Sequence, residues 1–89
     1  MAEYETITVS SSAIGLTKTK YNGQGGCLIT LDTAQIRFRY DGSNPTATDG
    51  HLMDIGDNIE ITGQDDMANF KAIRAGSTDA TIFVTYRGL

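Results

Sequence analysis

An all-β fold, a single antiparallel β-sandwich, is what this sequence predicts, and three observations carry that expectation. Short stretches rich in β-branched and aromatic residues recur about every ten residues, separated by Gly, Asn, Asp and Ser. Several of these stretches alternate apolar and polar residues with period two, as a strand with one buried face does. No stretch sustains a 3.6-residue apolar pattern over three turns. At 89 residues the chain is one domain, and we expect six to eight short strands in a jelly-roll or immunoglobulin-like arrangement.

The elements follow in order. Thr6 to Ser10 (TITVS) places Ile7 and Val9 on one face, and its β-branched content suits a strand. Ala13 to Thr17 (AIGLT) reads as a second short strand. Tyr21 to Gly26 (YNGQGG) reads as a flexible hairpin turn, because Asn22-Gly23 favours positive backbone dihedrals. Cys27 to Thr33 resumes strand character, and Gln35 to Tyr40 (QIRFRY) alternates Ile36, Phe38 and Tyr40 against Arg37 and Arg39. Asp41 to Gly50 (DGSNPTATDG) is the longest irregular segment; it holds the only proline, and loops of that length are more often functional.

Beyond it, Leu52 and Met53 are expected to pack on the core, and Ile55 to Asp57 turns the chain into the strand Asn58 to Thr62 (NIEIT). Gln64 to Asn69 reads as one helical turn or a loop, and Phe70 to Ala75 as a strand. After the turn Gly76 to Asp79 comes the clearest strand, Ala80 to Arg87 (ATIFVTYR). There Ile82, Val84 and Tyr86 share one face, and Thr81, Phe83 and Thr85 the other. The expected core is Ile7, Val9, Leu28, Ile36, Phe38, Tyr40, Leu52, Ile59, Ile61, Phe70, Ile82, Val84 and Tyr86.

Composition narrows function. The formal charge is -4 with a pI near 4.6, which disfavours nucleic acid, since non-specific binding to it relies on clustered Lys and Arg. No stretch approaches the roughly 20 apolar residues of a membrane helix. The segment MAEYETITVS lacks the apolar run that export requires, so synthesis in a cytoplasm is expected. Cys27 has no partner within the chain and is expected as a small buried apolar residue. A chain of this length buries only about 60–65% of its unfolded surface. Without a disulfide, self-association or docking on a larger body is the remaining support.

Charge is unevenly spread. Asp41, Asp49, Asp54, Asp57, Glu60, Asp65 and Asp66 fall in one block that contains no Lys or Arg. A solvated face is the plain reading, and opposite-signed patches meeting between subunits is the sharper one. Calcium wants six to eight oxygen ligands, and the acidic Gly-rich loops invite it, but the helix–loop–helix spacing is absent and Asp-Gly pairs also simply turn chains.

Catalysis finds little to work with. His51 is the only histidine, and none of the serines lies in a nucleophile-elbow motif. Gly23, Gly25 and Gly26 lack the Lys-Ser/Thr pair and following helix of a phosphate loop. Gly56-Asp57 before a strand is shared with cupin barrels, whose metal site needs several histidines. No enzyme activity and no cofactor are therefore expected. Phe83, opposite the apolar face of its strand, is either covered or an interface anchor.

The segments Ile36–Gly42 (IRFRYDG), Pro45–His51 (PTATDGH), Gly56–Ile61 (GDNIEI) and Phe70–Thr81 (FKAIRAGSTDAT) resemble small virion structural proteins of tailed bacteriophages. The likeness covers roughly the C-terminal two thirds. It implies a capsid decoration, or cement, protein: a β-sandwich without catalysis, commonly trimeric, bound to the major capsid protein on the virion's outer surface. The alternative within that class is a tail, neck or fibre module contacting host glycans, for which Tyr4, Tyr21 and Tyr40 are the exposed-aromatic candidates. Interface residues expected on the first reading are Tyr4, Arg37, Arg39, Asn44, Pro45 and Phe83, with Met1 to Ser10 and Asp41 to Gly50 as contact segments. Arg37 and Arg39 would meet the acidic block of a neighbour.

Overall fold

The computed structural model describes residues 3–88. Met1 and Ala2, part of the N-terminal segment expected to make contacts, lie outside the described residues. Eight strands form two four-stranded antiparallel sheets. In chain order they are β1 (Glu3–Val9), β2 (Ile14–Gly15), β3 (Gly26–Asp32), β4 (Ile36–Arg39), β5 (His51–Met53), β6 (Asn58–Thr62), β7 (Lys71–Arg74) and β8 (Ala80–Arg87). Two short helices, α1 (Lys18–Tyr21) and α2 (Gln64–Asn69), precede β3 and β7. Sheet A runs β1-β8-β3-β6 and sheet B runs β2-β7-β4-β5.

That order decides between the two sandwiches expected. The pairs β1–β8, β2–β7, β3–β6 and β4–β5 nest one inside the next, as in a long antiparallel ribbon rolled up on itself. This is the eight-stranded jelly roll. An immunoglobulin-like sandwich would hold its first two strands side by side in one sheet; here β1 and β2 belong to different sheets. Only β4 and β5 are both consecutive and paired, among the described strands, so the long loop 40–50 is the turning point of the ribbon.

Alternation builds the core. Ile7 and Val9 of β1, Cys27, Ile29 and Leu31 of β3, Ile61 of β6 and Ile82, Val84 and Tyr86 of β8 are buried on the inner face of sheet A. Ile36, Phe38, Met53 and Ala72 oppose them from sheet B, with Met67 of α2 and Phe70 filling one end. Three expected core residues lie outside it: Leu28, Tyr40 and Leu52 are exposed. Each is out of phase with its strand or past its end. Cys27, Ile29 and Leu31 keep period two and turn Leu28 outward; Met53, paired with Ile36, turns Leu52 outward beside Arg37; and β4 ends before Tyr40. Ile59 is half-buried against the core.

The glycine cluster is a correction too. Residues 22–25 do not close a hairpin; they carry the chain from α1 into sheet A. The Gly25 N–H donates to the Arg87 carbonyl and its own carbonyl accepts from the Gly63 N–H. A Cβ on Gly26 would stand 2.7 Å from the Ile61 carbonyl oxygen, so the close pairing of β3 with β6 requires glycine there.

One polar anchor fastens the ends of the chain. Glu5 is half-buried, and its carboxylate accepts hydrogen bonds from the Tyr86 hydroxyl, from the Thr17 hydroxyl at 2.5 Å and from the Thr17 N–H at 3.2 Å. The bond to Tyr86 joins residues 81 apart in sequence. Burial, and then this hydrogen bond to a carboxylate, raises the Tyr86 phenol well above its ordinary pKa, so it stays a donor. Glu5→Ala is expected to cost about 2–3 kcal/mol in urea unfolding, since it strands a buried hydroxyl, with Glu5→Gln costing less.

Candidate functional site

Two surfaces carry chemistry, on different sides of the sandwich. The first is the outer face of sheet A. Its registered rows read Tyr4–Thr85–Leu28–Glu60 and Thr6–Phe83–Thr30–Asn58, followed by Thr8–Thr81–Asp32. Phe83 is therefore the diagonal neighbour of both Tyr4 and Leu28, a spacing of about 7–8 Å that large side chains bridge. Tyr4 is 54% exposed and Leu28 37%, and Phe83 is half-buried. The result is an apolar triangle set in a field of threonines, with one ion pair, Arg87 to Glu60, at its margin. Thus Tyr4 and Phe83, named from the sequence, come together. Leu28 joins them, and its out-of-phase position in β3 was the signal for it.

The second surface is a trough where sheet B meets the edge of sheet A. Arg39, Tyr40, Asp41, Asp49, Gly50, His51 and Asp66 line a depression of about 450 Å³. A neighbouring one of about 420 Å³ is lined by Phe38, Tyr40, Asp66 and residues 59–62 of β6. The two share Tyr40 and Asp66. Tyr40 has aromatic neighbours: its ring lies near-parallel to that of Phe38, with centroids 6.4 Å apart at 18°, and Phe38 lies 5.8 Å from the buried Phe70. His51, the first residue of β5, lies 5.4 Å from Phe38 and 6.3 Å from Tyr40.

Loop 40–50 is braced by its own chain. The Arg39 guanidinium pairs with Asp41 and, at 3.3 Å, with Asp49. The hydrogen bond from Arg39 holds the Asp41 carboxyl below the usual carboxylate range. Arg37 donates to the Gly50 carbonyl at 3.1 Å, and Thr46 and Asp49 exchange backbone hydrogen bonds. Of the two arginines expected to meet a neighbour's acids, Arg39 is paired with acids of its own chain and Arg37 donates to a carbonyl of the loop, which folds back over β4. Pro45 is buried in that loop and offers no surface, whereas Asn44 is exposed. Gly50, at φ 142°, sits where a Cβ would come within 3.1–3.3 Å of Pro45, Phe38 and Arg37.

The remaining groups are structural in their contacts. Among the described residues no three His, Cys, Asp or Glu side chains converge as a metal site would need. The acids of the calcium reading turn and pin loops: Asp57 accepts from the Asp54 N–H, and Asp54 from the Ile55 N–H and from Gln35. Tyr21, a glycan candidate, is half-buried against the core. No described helix is long and apolar enough to cross a membrane. Comparison with family models, with curated proteins and with solved structures finds no match.

Cys27 is fully buried, and burial pushes its thiol up to about 11. It remains protonated at pH 8, so thiol-specific labelling is expected to be blocked in the native protein and rapid in denaturant. The unfolded thiol ionises near 9 while the folded one does not, so its contribution to stability falls as pH rises from about 9 towards 11. Gly50→Ala should cost more than about 1 kcal/mol in thermal unfolding, by forcing a side chain into positive φ against Pro45.

Proposed function

We propose that this protein is a structural docking module of a tailed-phage virion, a decoration protein that binds the outer surface of the major capsid protein shell and stabilises it, without catalysis. The observation that carries this reading is the outer face of sheet A: threonine-lined, with Tyr4, Leu28 and Phe83 grouped on it. A solvated sheet face ordinarily presents polar side chains, and aromatic anchors grouped at the centre of a polar field dominate binding energy. The jelly roll supports the same reading as a fold shared by viral capsid domains, by analogy alone. So do the sequence segments that resemble small virion proteins. A thin body of this kind adds little energy per copy, and many copies on a repeating lattice multiply it. On this reading the isolated protein assembles as a trimer.

The test is direct binding. Purified protein mixed with expanded, undecorated phage capsid shells should saturate at a fixed copy number and raise the temperature at which the shells come apart. Phe83→Ala and Tyr4→Ala should each weaken binding by about 2 kcal/mol while leaving the free protein's unfolding transition nearly unchanged. Absence of saturable binding to shells, or binding by both variants unchanged from that of the unsubstituted protein, would overturn the proposal.

A further inference from the structure

We propose that the trough between sheet B and the β6 edge is a binding site for an uncharged oligosaccharide, with the Tyr40 ring as the platform for one hexopyranose unit. This site is distinct from the docking face of sheet A and the inference does not depend on it. Each depression lies within the roughly 300–1,000 Å³ range of small-ligand sites. Because they share Tyr40 and Asp66, they are two halves of one trough with the ring between them.

The platform is built before any ligand arrives. Tyr40 is 43% exposed, yet its ring lies near-parallel to that of Phe38, which lies beside the buried Phe70, and His51 flanks it. An exposed aromatic face fixed in place avoids the ordering cost of a mobile one. A pyranose ring presents a flat C–H face to such a surface and a rim of hydroxyls beyond it, a match for a ring with a polar surround. Part of the surround is held as well. Arg39 clamps the Asp41 and Asp49 carboxylates, and Asp66 is the lining group common to both depressions. Planar acceptors and a planar donor at set positions suit vicinal hydroxyls, which donate and accept in pairs.

Charge selects among sugars. Four carboxylates line the trough: Asp41 and Asp49, which share the Arg39 guanidinium, Asp66, and Glu60, which pairs with Arg87. A sialic acid, uronic acid or phosphorylated sugar would add a like charge to a site already negative, which is unfavourable at these separations. The ligand class is therefore a neutral glycan of at least two units.

The experiment is an array of neutral and acidic glycans, followed by amide NMR titration of the ¹⁵N-labelled full chain with the best neutral hit and with its sialylated counterpart. The expected result is shifts confined to Tyr40, residues 49–51 and Asp66 with the neutral glycan and none with the acidic one. Tyr40→Ala should weaken binding about tenfold or more, and Tyr40→Phe, which keeps the ring, should stay within about threefold. Both substitutions are at an exposed side chain, and the amide spectrum of each reports its fold. No neutral glycan bound across the array, shifts centred on the Tyr4–Leu28–Phe83 face, or unaltered binding by Tyr40→Ala would each overturn the proposal. Capsid binding without glycan binding removes this site and leaves the docking reading intact; glycan binding without capsid binding does the reverse.

Discussion

Everything in this molecule depends on β8 finding its place between β1 and β3. Seven residues of β8 register against β1 and seven against β3, so the last strand closes a ladder that the first residues of the chain began. Partners in the β1–β8 pair stand 71 (Val9 and Ala80) to 83 (Glu3 and Tyr86) positions apart in sequence, and such closure must be made before its contacts repay the lost chain entropy. The return is large because β8 supplies Ala80, Ile82, Val84 and Tyr86 to the inner face at once. Glu5 then secures the closure by accepting from Tyr86 and Thr17, tying both ends of the chain to the start of α1. Inner-face packing holds the sheets together, and this one polar knot fixes the end where β1 has no neighbour beyond it.

The rolled ribbon also decides where function has room. Most connections cross from one sheet to the other and are committed to holding the layers together. The hairpin β4–β5 is the exception, and its loop of residues 40–50 is free to fold back on the sheet and wall a trough. Outer positions of sheet A, by contrast, carry no loop from β4–β5 and remain a broad registered surface. The two candidate surfaces are thus consequences of one topology: one is the face left open, the other the bend of the ribbon. In the interior, burial holds the Cys27 thiol and the Tyr86 phenol above their ordinary pKa values, so both stay protonated.

Electrostatics are settled mostly within the chain. Arg39, Arg74, Arg87 and Lys20 each pair with an acid of the same chain. Exposed pairs of this sort contribute little stability, about 0–1 kcal/mol. Their effect here is positional. Arg39 fixes the shape of the trough rim, and what it leaves uncompensated gives that rim its negative sign.

The sequence by itself determined the local half of this structure. Period-two alternation placed β1, β4, β6, β7 and β8 and named most of the buried residues, because a strand's two faces are written in neighbouring side chains. Where the reading slipped, the cause was again local: Leu28 and Leu52 were judged by hydrophobicity when their phase turned them outward, and the single turn of α1 is too short to show a helical period. Phe83 and Tyr4 were each legible as surface candidates, but not that they and Leu28 are neighbours, since cross-strand registers join residues that no local pattern connects. Jelly roll against immunoglobulin-like order, the capture of Arg39 by Asp41 and Asp49, and the meeting of Tyr40 with Asp66 were decided only by tertiary structure. Strand order and side-chain partnership depend on which distant segments pay the least entropy and desolvation to meet, and that is a property of the whole chain rather than of any stretch of it.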